Sequence, residues 1–141
     1  KWHKRNHPTT RHICTKLPAP LPLPDGSRAW HLHASPSCVP FSTAGLMDER
    51  EQDDGLKIVR WFLDLTLSSS CTSWSFEQVA APNLVKELKR FCAGNPSHAG
   101  CAVLHLDQLG VPQTRRRLIA GSPHIIARVL TTLWRKAVRE I

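Results

Sequence analysis

The sequence predicts an α/β fold in which a mostly parallel sheet is covered by helices, and three observations predict it. Short apolar runs of β type alternate along the chain with longer segments whose apolar residues recur at helical spacing. Single helices separate most of the strands, as right-handed βαβ units require. The 141 residues, 41% hydrophobic and 21% charged, suit one soluble domain with one core; two full domains, a wholly disordered chain and a collagen-like chain are excluded.

The elements follow in order. Residues 12–16 read as a short strand. Residues 17–26, with proline at 18, 20, 22 and 24, form an extended surface linker, because proline fixes φ and donates no N–H. A strand at 30–35 is broken by Pro36 and Pro40. Asp53 and Asp54 open a helix that runs to about Leu67, acid at its positive end, with Leu56, Val59, Phe62 or Leu63, and Thr66 on one face. Residues 73–80 alternate as a strand. Pro82 suits the first turn of a second helix lined by Leu84, Val85, Leu88 and Phe91. Strands at 101–106 and 117–121 are joined by a loop too short for a crossover helix, so they pair as a hairpin. Ser122 and Pro123 then start a last helix whose stripe of Ile126, Leu130, Leu133 and Ala137 faces a core.

Nineteen Lys and Arg against eleven Asp and Glu give a net charge of +8, which favours polyanionic partners such as nucleic acid. The charge is localised: Lys1, Lys4, Arg5, Arg11, Lys16 and Arg28 meet only Asp25 before the acidic patch at 48–54, and Arg115, Arg116 and Arg117 form a second focus. Five cysteines without a Cys-x-x-Cys pair argue against a disulfide framework and for a reducing compartment. Cys92, His98, Cys101 and His105 lie close enough in sequence to be weighed as zinc ligands, but their spacing matches no closed zinc module, and no metal is expected. His31 and His33 share a strand face as packing or hydrogen-bonding residues. No apolar run has the length of a membrane span and no signal-peptide core follows the N-terminus, so an intracellular protein, nuclear or cytoplasmic, is expected. The absence of an initiator methionine suggests a piece of a longer chain.

In sheets of this kind ligands sit beyond the carboxyl ends of the strands. Three segments carry chemistry there. Cys38, in Ser35-Pro36-Ser37-Cys38-Val39-Pro40-Phe41-Ser42, is a thiol on a proline-stiffened turn at a strand end, a place suited to a nucleophile, although an inert cysteine in a turn is the plainer alternative. Glu77 is a single carboxylate inside the run 73–79, and burying it requires that it be paired or protonated. In 110–117, read as extended, Gln113, Arg115 and Arg117 point to one face and Arg116 to the other; the plainer alternative is a solvated or phosphate-binding edge.

In this order the three segments resemble the cytosine-5 DNA methyltransferase family, including its relative that acts on tRNA. The family's Ser-Pro-Pro-Cys-Gln-x-Phe-Ser stands here as Ser-Pro-Ser-Cys-Val-Pro-Phe-Ser, its Glu-Asn-Val as Glu77-Gln78-Val79, and its Gly-Val-Pro-Gln-x-Arg-x-Arg is intact at 110–117. The resemblance implies a Rossmann-like methyltransferase sheet, present in part over 1–141, with the nucleophile turn and a mobile loop at 36–54 and the Gln-x-Arg-x-Arg motif within 109–117. It implies DNA as substrate, with RNA as the alternative, and S-adenosylmethionine as methyl donor. Cys38 would add to C6 of an extruded cytosine, Glu77 would bind N3 and the amino group, and Arg117 would donate to O2. Gln113 and Arg115 would brace the pocket, and 43–54 would close over it.

The departures from the family pattern are specific. Ser37 replaces a proline, which frees φ and adds an N–H and a hydroxyl. Val39 replaces the glutamine that helps fill the gap left by the extruded base, and Gln78 replaces asparagine. The glycine-rich cofactor turn and the acid that holds the ribose have no counterpart in 1–141, nor do a target-recognition region and the closing cofactor motif; the acid expected to meet the adenine falls near Cys14 or Thr15. Ser35, Ser37 and Leu56 are the donor contacts that remain. The expectation is a fragment or decayed copy of the catalytic domain, inactive by itself, with a non-catalytic nucleic-acid-binding module as the alternative.

Overall fold

The computed structural model describes residues 2–41, 49–109 and 112–139. It is a mixed α/β fold with the element order α1 (Trp2–Asn6), β1 (His31–Ala34), α2 (Glu49–Ser68), β2 (Ser73–Val79), α3 (Pro82–Gly94), β3 (Gly100–His105), β4 (Arg116–Gly121) and α4 (Pro123–Arg139). The four strands form one sheet in the order β1-β2-β4-β3.

The expected mostly parallel sheet is corrected here: β1 and β2 are parallel, but β4 is antiparallel to both β2 and β3. The short connection makes β3 and β4 a hairpin, as expected, and β4 rather than β3 takes the inner position. Gly121 permits this, because a Cβ there would lie 2.6 Å from the Trp74 carbonyl oxygen; only glycine lets β4 approach β2 so closely.

Alternation along β2 separates two faces. Trp74, Phe76 and Gln78 are buried, whereas Ser73, Ser75 and Glu77 are partly open. On the first face, Val59, Phe62 and Leu63 of α2 and Leu84 and Leu88 of α3 pack with Trp74, Phe76, Leu118 and Ala120. Phe62 lies edge-on to Trp74 at 6.0 Å between ring centroids. His98 stacks on Trp74 at 5.8 Å and hydrogen-bonds the Thr66 hydroxyl at 3.0 Å, so it is engaged in the core. Among the described residues no group of three His, Cys, Asp or Glu is placed to hold a metal.

Helix α4 packs on the other face over the hairpin, where Ile126 is buried and lies against Gly100. Leu130, expected in the core, is 45% exposed, because α4 covers only this half of the face; the side chains of Leu133 and Ala137 lie outside the described residues. Ser122 does not cap α4 through its side chain. Its hydroxyl accepts the Trp74 N–H at 3.0 Å, and its N–H donates to Trp74 O at 3.0 Å, which extends the β2–β4 ladder.

Two further expectations change. Residues 12–16 are not a strand: the segment is exposed and is not one of the four strands of the sheet, since five exposed residues with Ile13 half exposed bury too little to hold a ladder. Helix α2 starts at Glu49, ahead of the expected Asp53, and Glu51, Asp53 and Asp54 lie in its first turns, where acids suit the helix dipole. Of the expected mobile loop 43–54, residues 43–48 lie outside the described residues and 49–54 are helical. Among the described residues no helix is long and apolar enough to cross a membrane.

Candidate functional site

Topology brings the candidate residues to one edge. The carboxyl ends of β1 and β2 lie together because the strands are parallel, and β4, being antiparallel, brings its beginning to the same edge, with Arg117 opposite Val79. Glu77, two residues before Val79, shares its face and is the diagonal neighbour of Arg117, within reach of a long side chain.

The contact is made. Arg117 Nε donates to Glu77 Oε1 at 2.7 Å, and the Ser35 hydroxyl, just past β1, donates to Glu77 Oε2 at 3.0 Å. A second donor of Arg117, Nη1, reaches Arg116 O at 3.0 Å. Glu77 is 40% exposed and Arg117 16%, so the carboxylate is paired, as its place in an apolar run requires, but it is not buried. Next to it on the same face, His31 and His33 hydrogen-bond the hydroxyls of Ser73 and Ser75 at 2.7–2.8 Å.

Cys38 is exposed on the turn that follows β1. Three anchors fix that turn. Phe41 N–H donates to Cys38 O at 2.9 Å and closes a helical turn at 39–41. Pro40 and Phe41 sit on Gly55 of α2, where a Cβ would come within 2.7 Å of Pro40 and 2.9 Å of the Phe41 ring; the turn rests on the helix only because Gly55 has no side chain. The third anchor is Gln78, whose buried amide donates to Pro36 O at 2.7 Å and Ser37 O at 3.3 Å and accepts the Val79 N–H at 2.7 Å. From the sequence, Gln78 is only the replacement of an asparagine. Its signal was available: an amide at the inward position after Trp74 and Phe76 must find partners. Ser37, expected to loosen the turn, accepts the Val39 N–H on its hydroxyl at 3.3 Å, an added tie.

The remaining candidates are placed differently. Because β4 begins at Arg116, the strand alternation does not reach Gln113 and Arg115; the ladder ends where Leu106 N–H meets Arg115 O. Both side chains are exposed at the mouth of the edge, with no ion pair or side-chain hydrogen bond among the described residues. Ser35 and Ser37 line a pocket of about 300 Å³ between the end of β1 and α2, with Ile58 and Trp61, but Leu56 is not part of it and packs against the core. Both serine hydroxyls are already engaged.

A larger groove, about 920 Å³, opens beside the site on the α3 side of the edge. Phe41, Val79 and Val85 give it an apolar floor, and Lys86, Lys89 and Arg116 give it a positive rim. Cys38, Glu77 and Arg117 do not line it; it flanks them.

No family model matches the chain, and no curated protein matches it. Among solved structures, the crystal structure of S. pombe Dnmt2 methyltransferase is similar at 16% sequence identity and a TM-score of 0.37, over 70% of this chain and 34% of that one. The chain thus spans about a third of the length of that structure.

Proposed function

We propose that this chain carries the nucleophile and base-binding side of a DNA (cytosine-5) methyltransferase catalytic domain. The observation that supports this most is the Ser35–Glu77–Arg117 chain of contacts at the carboxyl edge, with Cys38 anchored on the adjoining turn, because Glu77, Arg117 and Cys38 are the residues to which the motif resemblance assigns the chemistry.

An extruded cytosine at this edge presents N3 and its amino group to Glu77 and O2 to Arg117. Without a base the two side chains satisfy each other, so entry of the base exchanges one charge-assisted contact for others and leaves neither charge unpaired. The Cys38 thiolate forms a bond to C6; the C5–C6 π pair shifts toward C5 and O2, where the Arg117 guanidinium stabilises the developing charge. Glu77 holds the proton shared with N3. C5 is then nucleophilic, and S-adenosylmethionine is the class of donor that supplies a methyl group to such a carbon. The groove rimmed by Lys86, Lys89 and Arg116 suits the phosphates flanking the base.

The test is an oligonucleotide carrying 2-pyrimidinone in place of cytosine. Without the amino group the ring is a stronger electrophile at C6, so an adduct needs no methyl donor. The wild-type chain is expected to give a complex with DNA that survives denaturing electrophoresis, Cys38→Ser to give none, and the same sequence in RNA to react less. The changes at Ser37 and Val39 favour a second reading, a nucleic-acid-binding module without chemistry. That reading holds if neither protein forms an adduct while both bind with one salt dependence.

A further inference from the structure

All the cysteines are free thiols, and two of them are neighbours. Cys92 lies in the last turns of α3 and Cys101 near the start of β3. The connection between them is tight: Asn95 N–H donates to Cys92 O at 3.2 Å, its side-chain amide to Phe91 O at 3.0 Å, and its carbonyl accepts the N–H groups of His98 and Ala99. Cys101 pairs with the buried Ala120 and so shares the sheet face that α3 covers. Cys92 follows Leu88 by one helical turn, on the stripe directed at that face. Both residues pack on the core while keeping part of their surface open, at the seam where the end of α3 meets the start of β3.

We propose that Cys92 and Cys101 form a redox-active dithiol that closes to an intramolecular disulfide by exchange with a small-molecule disulfide such as oxidised glutathione. The roles are unequal. The neighbouring Cys92 thiol holds the Cys101 thiol down, to about 7, against the opposing effect of burial and with help from the Lys89 ammonium. The neighbouring Cys101, then burial, push the Cys92 thiol up, and its place at the negative end of α3 acts in the same direction. Cys101 is therefore the attacking thiolate. Its sulfur bonds to one sulfur of the oxidant and expels the other as a thiolate, which takes up the Cys101 proton. The capped Cys101 no longer holds the Cys92 proton in place. Cys92 then attacks the Cys101 sulfur, its proton going to the second departing thiolate. Two protein thiols are oxidised by two electrons and one small disulfide is reduced to two thiols.

Trypsin leaves both cysteines in one peptide, 91–115, which gives a direct readout. The full chain is equilibrated in glutathione buffers near pH 7, alkylated and digested. Peptide 91–115 is expected to lose two hydrogens, and no disulfide to join Cys14, Cys38 or Cys71. At pH 7, greater ionisation outweighs lower nucleophilicity, so Cys101 should react about threefold faster than an ordinary thiol. Cys92→Ser should stop the reaction at a Cys101–glutathione mixed disulfide, and Cys101→Ser should remove the fast phase. Two separately alkylated cysteines in 91–115 across all buffers would overturn the proposal, as would a disulfide to Cys71. The same preference in concentrated denaturant would also overturn it, since sequence proximity rather than the fold would then pair the thiols.

Discussion

The two faces of β2 end in adjacent residues with opposite tasks. On the helix-covered face Trp74 and Phe76 are buried among apolar side chains, and the run ends in Gln78, whose amide is turned back to hold the Cys38 turn. On the open face Ser73 and Ser75 bond the histidines of β1, and the run ends in Glu77, held by Ser35 and Arg117. Apolar packing fixes the strand; polar contacts on both sides of its last turn fix the site. On the proposed reading, the covered face positions the Cys38 turn, and the open face positions Glu77 and Arg117.

The largest effect that separates the faces is on stability. Phe76→Ala removes a fully buried ring and should cost about 3–5 kcal/mol in chemical denaturation, whereas Ser75→Ala on the same strand removes partly exposed hydrogen bonds and should cost about 1 kcal/mol or less. Equal losses would break the distinction. Next is Gln78→Leu, which leaves the Pro36 and Ser37 carbonyls and the Val79 N–H without their partner. A cost of about 1–3 kcal/mol is expected, together with slower adduct formation at Cys38 and an unchanged Glu77–Arg117 pair in the variant's structure. Full adduct formation by a stable Gln78→Leu would sever the covered face from the site.

The smallest effect is a pH dependence confined to the covered side. Arg60 of α2 makes two hydrogen bonds of 3.1 Å to Glu87 of α3, and Arg90 adds one of 2.6 Å. The Arg60 hydrogen bond, opposed by burial and helped by Arg90, holds the Glu87 carboxyl below 4.5. A carboxyl lowered in the folded state stabilises above its unfolded value, and that contribution disappears as pH falls through the folded value. Wild-type stability should therefore decline below about pH 4.5 more steeply than that of Glu87→Gln, as followed by thermal melts. Parallel curves would remove this link between α2 and α3.

Elements with strong periodicity were legible in the sequence. The stripe Val59, Phe62, Leu63 and Thr66, the alternation of 73–79 and the start of α3 at Pro82 all stand where the pattern puts them, because burial of one face decides them. Strand order was not legible, since the inner place of β4 depends on the Gly121 contact with Trp74, which no local pattern encodes. For the same reason, residues 12–16 read as a strand locally but do not join the sheet. At the site, the residue types at 35, 38, 77 and 117 could be read from motifs, whereas the Gly55 seat for Pro40 and Phe41 and the Gln78 brace are contacts between segments distant in sequence.

The central claim is that one pyrimidine ring fits between the nucleophile on the covered side and the ion pair on the open side. A crystal structure of the chain trapped on 2-pyrimidinone DNA measures this most directly. The account predicts a bond from Cys38 Sγ to C6, the Glu77 carboxylate about 3 Å from N3, and the Arg117 guanidinium on O2. A base lodged in the groove along Lys86 and Lys89, with Cys38 unbonded and Glu77 still closed on Arg117, would contradict it.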